Sequence, residues 1–405
     1  LAFGSCSKSS LEQWAWPAIE QQQPDAFLWL GDAVYADIRR LPGWFGPAGP
    51  ERLRAEYAAQ KANPDYAKFA ANNTVLGVWD DHDYGLNNAG HEFPFRRESQ
   101  EIFLDFLGEP AESPRRVREG VYDSYLFTDK LARSVRLVLL DARFHKHPGF
   151  DGELLGEEQW RWFENEVLET ERDQNQLLLI ASGIQVLSDL RLEGEGWSQH
   201  PTAKKRLLRT LSSLTHTRVV LLSGDVHYAE VLRLEAETAT RSTGGETCCS
   251  FPLFDFTSSG LTHSVSTQAG RMGSWVMNTW SNSLVVPDTM HLGLNFGMVV
   301  VDWRDEAPAV TLQLFGPSGR LFEYHIPPLS PSNSNECNKL AQDVQTLASF
   351  RAVSKSIVRG GILLLVCLCC GFSVKLLLRI VRCKRGRVPG NLTLSTPGGD
   401  AHKTK

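Results

Sequence analysis

An α/β layered domain followed by one C-terminal transmembrane helix is the architecture that this 405-residue sequence predicts. Three observations carry that reading. Short apolar runs alternate with amphipathic helical stretches, and several of those runs end in carboxylates and imidazoles. A largely apolar run near the C-terminus, 360–381, is also long enough to cross a bilayer.

The chain opens on LAFGS, a strand that runs into Cys6, and Leu1 in place of Met reads as a processed or partial chain. Five further runs read as buried strands: 26–30 (AFLWL), 74–79 (TVLGVW), 135–140 (VRLVLL), 176–182 (QLLLIAS) and 218–223 (RVVLLS). Continuous apolar runs of this length suit a sheet covered on both faces. Helical patterns lie between them, starting at Glu51, Glu98 and Glu157. Trp160 and Trp162 sit on the last of these and are expected to pack rather than to bind a ligand. No internal repeat is visible.

Beyond the last of these elements, PPLSPSNSNEC reads as a linker, so the main domain is placed at 1–330 and a juxtamembrane segment at 331–359. Residues 360–381 would measure about 33 Å as a helix, close to the hydrocarbon thickness of a membrane. Lys375 and Arg379 lie near one end, where their stems reach the headgroups. Arg351, Lys355 and Arg359 precede the span, whereas Lys375, Arg379, Arg382, Lys384, Arg385 and Arg387 follow its apolar stretch. That asymmetry places the tail, 382–405, in the cytosol and the large domain outside the cell or in a lumen.

Composition excludes several classes. With 42% hydrophobic and 22% charged residues the chain is neither disordered nor fibrous, and its 8 Cys are too sparse for a disulfide scaffold. The net charge of -5 conceals a basic tail, which leaves about -12 for the rest. A body so acidic lacks the field that nucleic acid needs, so none is expected as a partner. Oligomeric state is left open. Cys248 and Cys249 either pair with Cys337 or stay reduced, Cys383 and the membrane-run Cys cluster are candidate acylation sites, and Asn72-Asn73-Thr74 is a glycosylation sequon.

Chemistry concentrates at the strand ends. FLWL runs into Gly31-Asp32-Ala33-Val34-Tyr35, VLGVW into Asp80-Asp81-His82-Asp83, and RVVLLS into Gly224-Asp225-Val226-His227. In an α/β sheet the carboxyl ends of the strands form the crevice where ligands bind, so these segments should meet. Asp32 and Tyr35 share one face if a helix starts after Gly31. Asp225 and His227 point the same way if the strand stays extended. Three carboxylates beside His82 would repel one another without a cation. Taken singly, an Asp after a strand is usually a cap and a His or Cys usually a core residue. Taken together, they indicate a metal centre.

FGSCS, PDAFLWLGDAVYAD, VLGVWDDHDYGLNNAG, LLDARFH, LGEEQWRWFE and LLSGDVHYAEV follow one another in an order that resembles the PhoD-like alkaline phosphatases, a branch of the calcineurin-like metallophosphoesterases. The likeness spans about residues 1 to 300. It implies a two-layer β-sandwich flanked by helices and a binuclear centre of ferric iron and calcium, with Cys6, Asp32, Tyr35, Asp81, Asp225 and His227 as ligands. A thiolate and a phenolate suit ferric iron, carboxylates suit calcium, and Asp32 is the natural bridge. The implied reaction is in-line attack of a metal-held hydroxide on a phosphate monoester or diester. His82 would give a proton to the leaving oxygen, and Arg143 would clamp two phosphate oxygens, pair with Asp141 or be a surface charge. Asn87 or Asn88 would touch the second metal or phosphate, and Ser258, Ser259 and His263 would line the site. Two alternatives stand beside this: a lipid phosphodiesterase, which the anchor suggests, and an inactive binding ectodomain on the same scaffold.

Overall fold

The computed structural model describes residues 1–327 apart from 42–43, 132, 174–176, 190–194, 216, 236–250, 280–281 and 305–307. The expected linker, membrane helix and basic tail lie outside the described residues, as do Cys248, Cys249 and Cys337. Among the described residues no helix is long and apolar enough to cross a membrane.

In chain order the first elements are β1 (Ala2–Gly4), α1 (Ala15–Gln21), β2 (Phe27–Leu30), β3 (Ile38–Leu41), β4 (Trp44–Gly46), α2 (Pro50–Ala62), α3 (Pro64–Asn72), β5 (Val75–Val78), α4 (Asp81–Tyr84) and α5 (Arg96–Leu107). Then come β6 (Asp123–Thr128), β7 (Ser134–Leu140), α6 (Glu157–Arg172), β8 (Leu177–Ser182), α7 (Pro201–Leu211), β9 (Arg218–Ser223), β10 (Ala229–Leu234), β11 (Leu253–Ser258), α8 (Val265–Thr279), β12 (Phe296–Asp302), β13 (Ala309–Gly316) and β14 (Gly319–Ile326). They build two six-stranded sheets, ordered β14-β13-β12-β1-β2-β5 and β10-β11-β9-β8-β7-β6, and a small β3-β4 ribbon.

Alternation along the strands explains the layers. Leu137, Leu139, Leu177, Leu179, Val220 and Leu222 face the other sheet, in one core with Phe3, Leu28, Leu30 and Val78. Phe3 meets Phe256 edge to face across the gap, with ring centroids 5.1 Å apart. The intervening residues Val138, Leu140, Leu178, Ile180, Val219 and Leu221 face outward, where Phe163 and Val167 of α6 and Leu207 and Leu211 of α7 cover them. On the first sheet Phe27 and Trp29 turn outward to Trp16 of α1, Tyr66 and Phe69. Both faces of each central strand are therefore buried, which is why those runs are apolar throughout.

Topology then positions the site. β1, β2 and β5 are parallel, and so are β7, β8, β9 and β11. Their carboxyl ends open on a common edge of the sandwich. The antiparallel strands β12, β13 and β14 extend the first sheet beyond β1, while β6 and β10 close the ends of the second. Trp160 packs edge to face on Trp197 and Trp162 lies against Tyr122, in keeping with a packing role.

Candidate metal centre

Each strand end bends sharply to bring its polar residue to the edge. Asp32 after β2 and Asp225 and His227 after β9 have positive φ, as does Cys6 after β1, at 51°, 74°, 61° and 63° respectively. Such conformations are uncommon for residues with a side chain and cluster at functional sites. They correct two expectations. No helix follows Gly31, and the segment after β9 is not extended. Asp32 and Tyr35 meet all the same, because the turn swings the Tyr35 hydroxyl to 3.0 Å from Asp32 Oδ2. Glycine permits the close approach of these turns: a Cβ on Gly224 would lie 2.4 Å from the carbonyl oxygen of Leu30.

The side chains converge in three overlapping sets: Cys6, Asp32 and His227; Asp32, Asp81 and His82; and Asp32, Asp80, Asp81 and Asp225. Within each set one ligand atom per residue lies within 4.8 Å of the others, and Asp32 belongs to all three. Cys6 Sγ is 3.4 Å from Asp32 Oδ2 and 3.0 Å from Ser259 Oγ. The Tyr35 hydroxyl is 3.0 Å from both His227 Nε2 and His263 Nε2. Ser259 Oγ also accepts from the His227 backbone N–H at 2.8 Å, whereas Ser258 turns away to Asn295.

Electrostatics shows what the cluster lacks. Burial pushes the Asp32 carboxyl up to about 6, and desolvation with neighbouring carboxylates drives Asp80 and Asp225 well above the usual range. Burial raises the Cys6 thiol and the Tyr35 phenol in the same way and lowers His227 to about 4. Asp81 goes down, because the charges of His82 and Arg143 outweigh its burial. Asp80 Oδ2 and Asp81 Oδ1 are buried without a hydrogen-bond partner. A buried carboxylate oxygen left bare costs several kcal/mol unless a cation meets it. The donor set of thiolate, phenolate, imidazole and carboxylates therefore fits metal ions; which metals they are is not fixed by it.

His82 stands beside this cluster with its Nδ1 2.8 Å from Asp37 Oδ1. Burial alone would lower its pKa, but the Asp81 and Asp32 charges and the Asp37 bond push it up to about 10. Its ring lies 4.1 Å from that of Tyr35, and both line a cavity of about 510 Å³ together with Lys8 and Phe45.

Arg143 departs from the sequence reading. It is fully buried, with Nε 2.7 Å from Asp80 Oδ1 and Nη1 2.6 Å from Glu195 Oε2, and it does not line the cavity. Its charge is spent on holding Asp80, so it is not placed to clamp a phosphate. The expected ion pair with Asp141 is replaced too, since Asp141 caps the Arg143 backbone N–H instead. The Asn88 backbone N–H donates to Asp81 Oδ2 at 2.6 Å, and its amide nitrogen, turned toward the carboxylates, lies 3.3 Å from the same oxygen and 3.1 Å from Glu195 Oε2. The Asn87 backbone N–H goes to Asp37 Oδ2 at 3.2 Å.

Three site residues, Asp37, Asp80 and Glu195, were not singled out from the sequence. Asp80 had a visible signal, as the first of four polar residues after an apolar run. Asp37 and Glu195 had none, because each acts on a residue far along the chain.

The two-sheet α/β fold thus carries, at one edge, a buried carboxylate-rich cluster suited to metal ions. Residues 1–103 and 133–312 match the model of the family described as PhoD-like phosphatase, and the chain belongs to that family. Among solved structures it is similar to one described as "Structure of PhoD", with 15% identity and a TM-score of 0.55 over 82% of this chain and 72% of that one. It also matches "GAP50 the anchor in the inner membrane complex of Plasmodium" at 10% identity and a TM-score of 0.46, over 84% of this chain and 93% of that one. No curated protein sequence matches the chain significantly.

Proposed function

We propose that the chain hydrolyses phosphate monoesters or diesters and is tethered to a membrane by residues 360–381. In this reading residues 1–330 form the catalytic domain on the extracellular or lumenal side, with the basic tail in the cytosol. One observation carries the catalytic part: bare, buried oxygens of Asp80 and Asp81 at an edge where Cys6, Asp32, Tyr35, Asp225 and His227 converge. Cys6, Tyr35 and His227 would hold ferric iron, Asp81 and Asp225 calcium, and Asp32 both. When bound, such ions neutralise phosphate oxygens and lower the pKa of water.

The chain's own residues do the rest. With Nδ1 committed to Asp37, His82 keeps Nε2 for the leaving oxygen, and the Asp37 carboxylate favours the protonated ring. Water's oxygen bonds to phosphorus and releases its proton to solvent, the P–O bond to the alcohol breaks, the departing alcohol oxygen takes the His82 proton, and His82 regains a proton from solvent. Asp37 fixes the ring's orientation and tautomer. Ser259 and His263 orient Cys6 and Tyr35 by the hydrogen bonds described above.

The test is elemental analysis of the purified full chain together with phosphate-ester turnover in the same sample. About two metal equivalents with hydrolysis are expected. Turnover by metal-free protein would overturn the reading. For the tether, protease added to the cytosolic side of sealed vesicles should remove a tag after Lys405 and leave the rest intact.

A further inference from the structure

The cavity beside the site has a directional order. Lys8 Nζ lies 4.6 Å over the Tyr35 ring, that ring lies 4.1 Å from His82, and His82 lies 5.4 Å, edge to face, from Phe45. Tyr35 belongs to the convergent cluster and His82 is the group placed to protonate the departing alcohol. A phosphoryl group at the Tyr35 end therefore sends its alcohol past His82 toward Phe45.

The wall there joins apolar side chains to polar ones. The polar side chains of that wall are already engaged: Asp37 with His82 and the Asn87 N–H, Arg52 with the Ala36 carbonyl and Glu56, and Glu56 with Ser9. Phe45 on β4 and Ile38 on β3 line the same cavity, and Ile38 is 41% exposed. Phe45 also touches His82 and so borders the path of the leaving group. Exposed apolar surface of this kind gains free energy when a ligand covers it, and an aromatic wall adds stacking.

We propose that the cavity selects esters whose alcohol carries an aryl or extended alkyl group, packed by Phe45 and Ile38 beside His82. The inference rests on the hydrolase reading above and adds a substrate class to it.

The test compares 2-phenylethyl phosphate with ethyl phosphate, each as the monoester and as its methyl diester, on the metal-loaded full chain. Both alcohols are primary alkanols of similar basicity, so the ratio of their kcat/KM values reports the wall rather than the leaving-group chemistry. A preference of about tenfold or more for the phenylethyl ester is expected, the scale of an apolar subsite contact. Phe45→Ala should bring the ratio close to one, Ile38→Ala should reduce it, and Phe45→Leu should restore most of it. Equal kcat/KM for both esters, or a ratio that Phe45→Ala leaves intact, would overturn the inference while the hydrolase reading stands. Hydrolysis of neither ester would overturn both.

Discussion

A Cβ placed on Gly31 would fall 2.2 Å from Asp80 Cβ and 2.6 Å from the Asp80 backbone nitrogen. Gly31 also has φ +81°, so two independent constraints demand glycine where the turn after β2 crosses the end of β5. Gly31→Ala is expected to destabilise the domain by about 3 kcal/mol or more and to lose bound metal. Thermal melting and elemental analysis of the variant check this, and native-like values for both would contradict it.

Asp32 is common to every convergent set, and burial holds its carboxyl near 6. Its folded pKa is raised above the ordinary carboxylate value, so without cations its ionisation opposes folding from about pH 4 upward and in full above about pH 6. Asp32→Asn should therefore abolish metal retention and turnover, yet melt at or above the metal-free wild type at pH 7. Calorimetry of both proteins after chelation makes the comparison. A large loss of stability in the metal-free variant would show that Asp32 is a structural residue.

His82 is held by Asp37 through Nδ1 while its Nε2 lies 4.0 Å from Asp81 Oδ1 in the convergent cluster. Asp37→Asn should retain both metals while turnover falls by about 100-fold, the scale of a disabled general acid. His82→Ala should do the same. Loss of bound metal from either variant would place the pair in metal binding instead.

Arg143, buried between Asp80 and Glu195, makes a prediction that separates structure from substrate contact. Arg143→Met leaves two carboxylates uncompensated and should cost about 3–5 kcal/mol of stability, with metal affinity reduced. A phosphate clamp would behave otherwise: KM would rise with the melting temperature unchanged.

Much of this arrangement was legible in the residues. The six parallel strands of the reading were found close to their expected positions because runs such as RVVLLS have an unbroken apolar centre and are buried at every position, as suits doubly covered strands. Strand-end residues Cys6, Asp32, Asp81, Asp225 and His227 were found because such ends converge by topology. The antiparallel strands β12 to β14 went unnamed: with one face in the core, GRLFEYHI carries a mixed pattern rather than a continuous apolar run. Asp37, Glu195 and the burial of Arg143 were invisible for a different reason. Their partners lie 45, 52 and 63 residues away in sequence, and no local periodicity encodes such a contact. The left-handed turns at Asp32, Asp225 and His227 contradict local propensity, and local propensity is all that a spacing argument uses.

The three-residue strand β1 sits between β2 and β12, with Phe3 opposite both Leu28 and Gly297. Cys6 thus owes its position to a segment almost three hundred residues downstream. A nascent polypeptide emerging from the ribosome cannot settle that thiol until β12 has been synthesised, and pairings so remote are slow to form. Completion of the convergent cluster is thereby tied to pairing between the two ends of the domain.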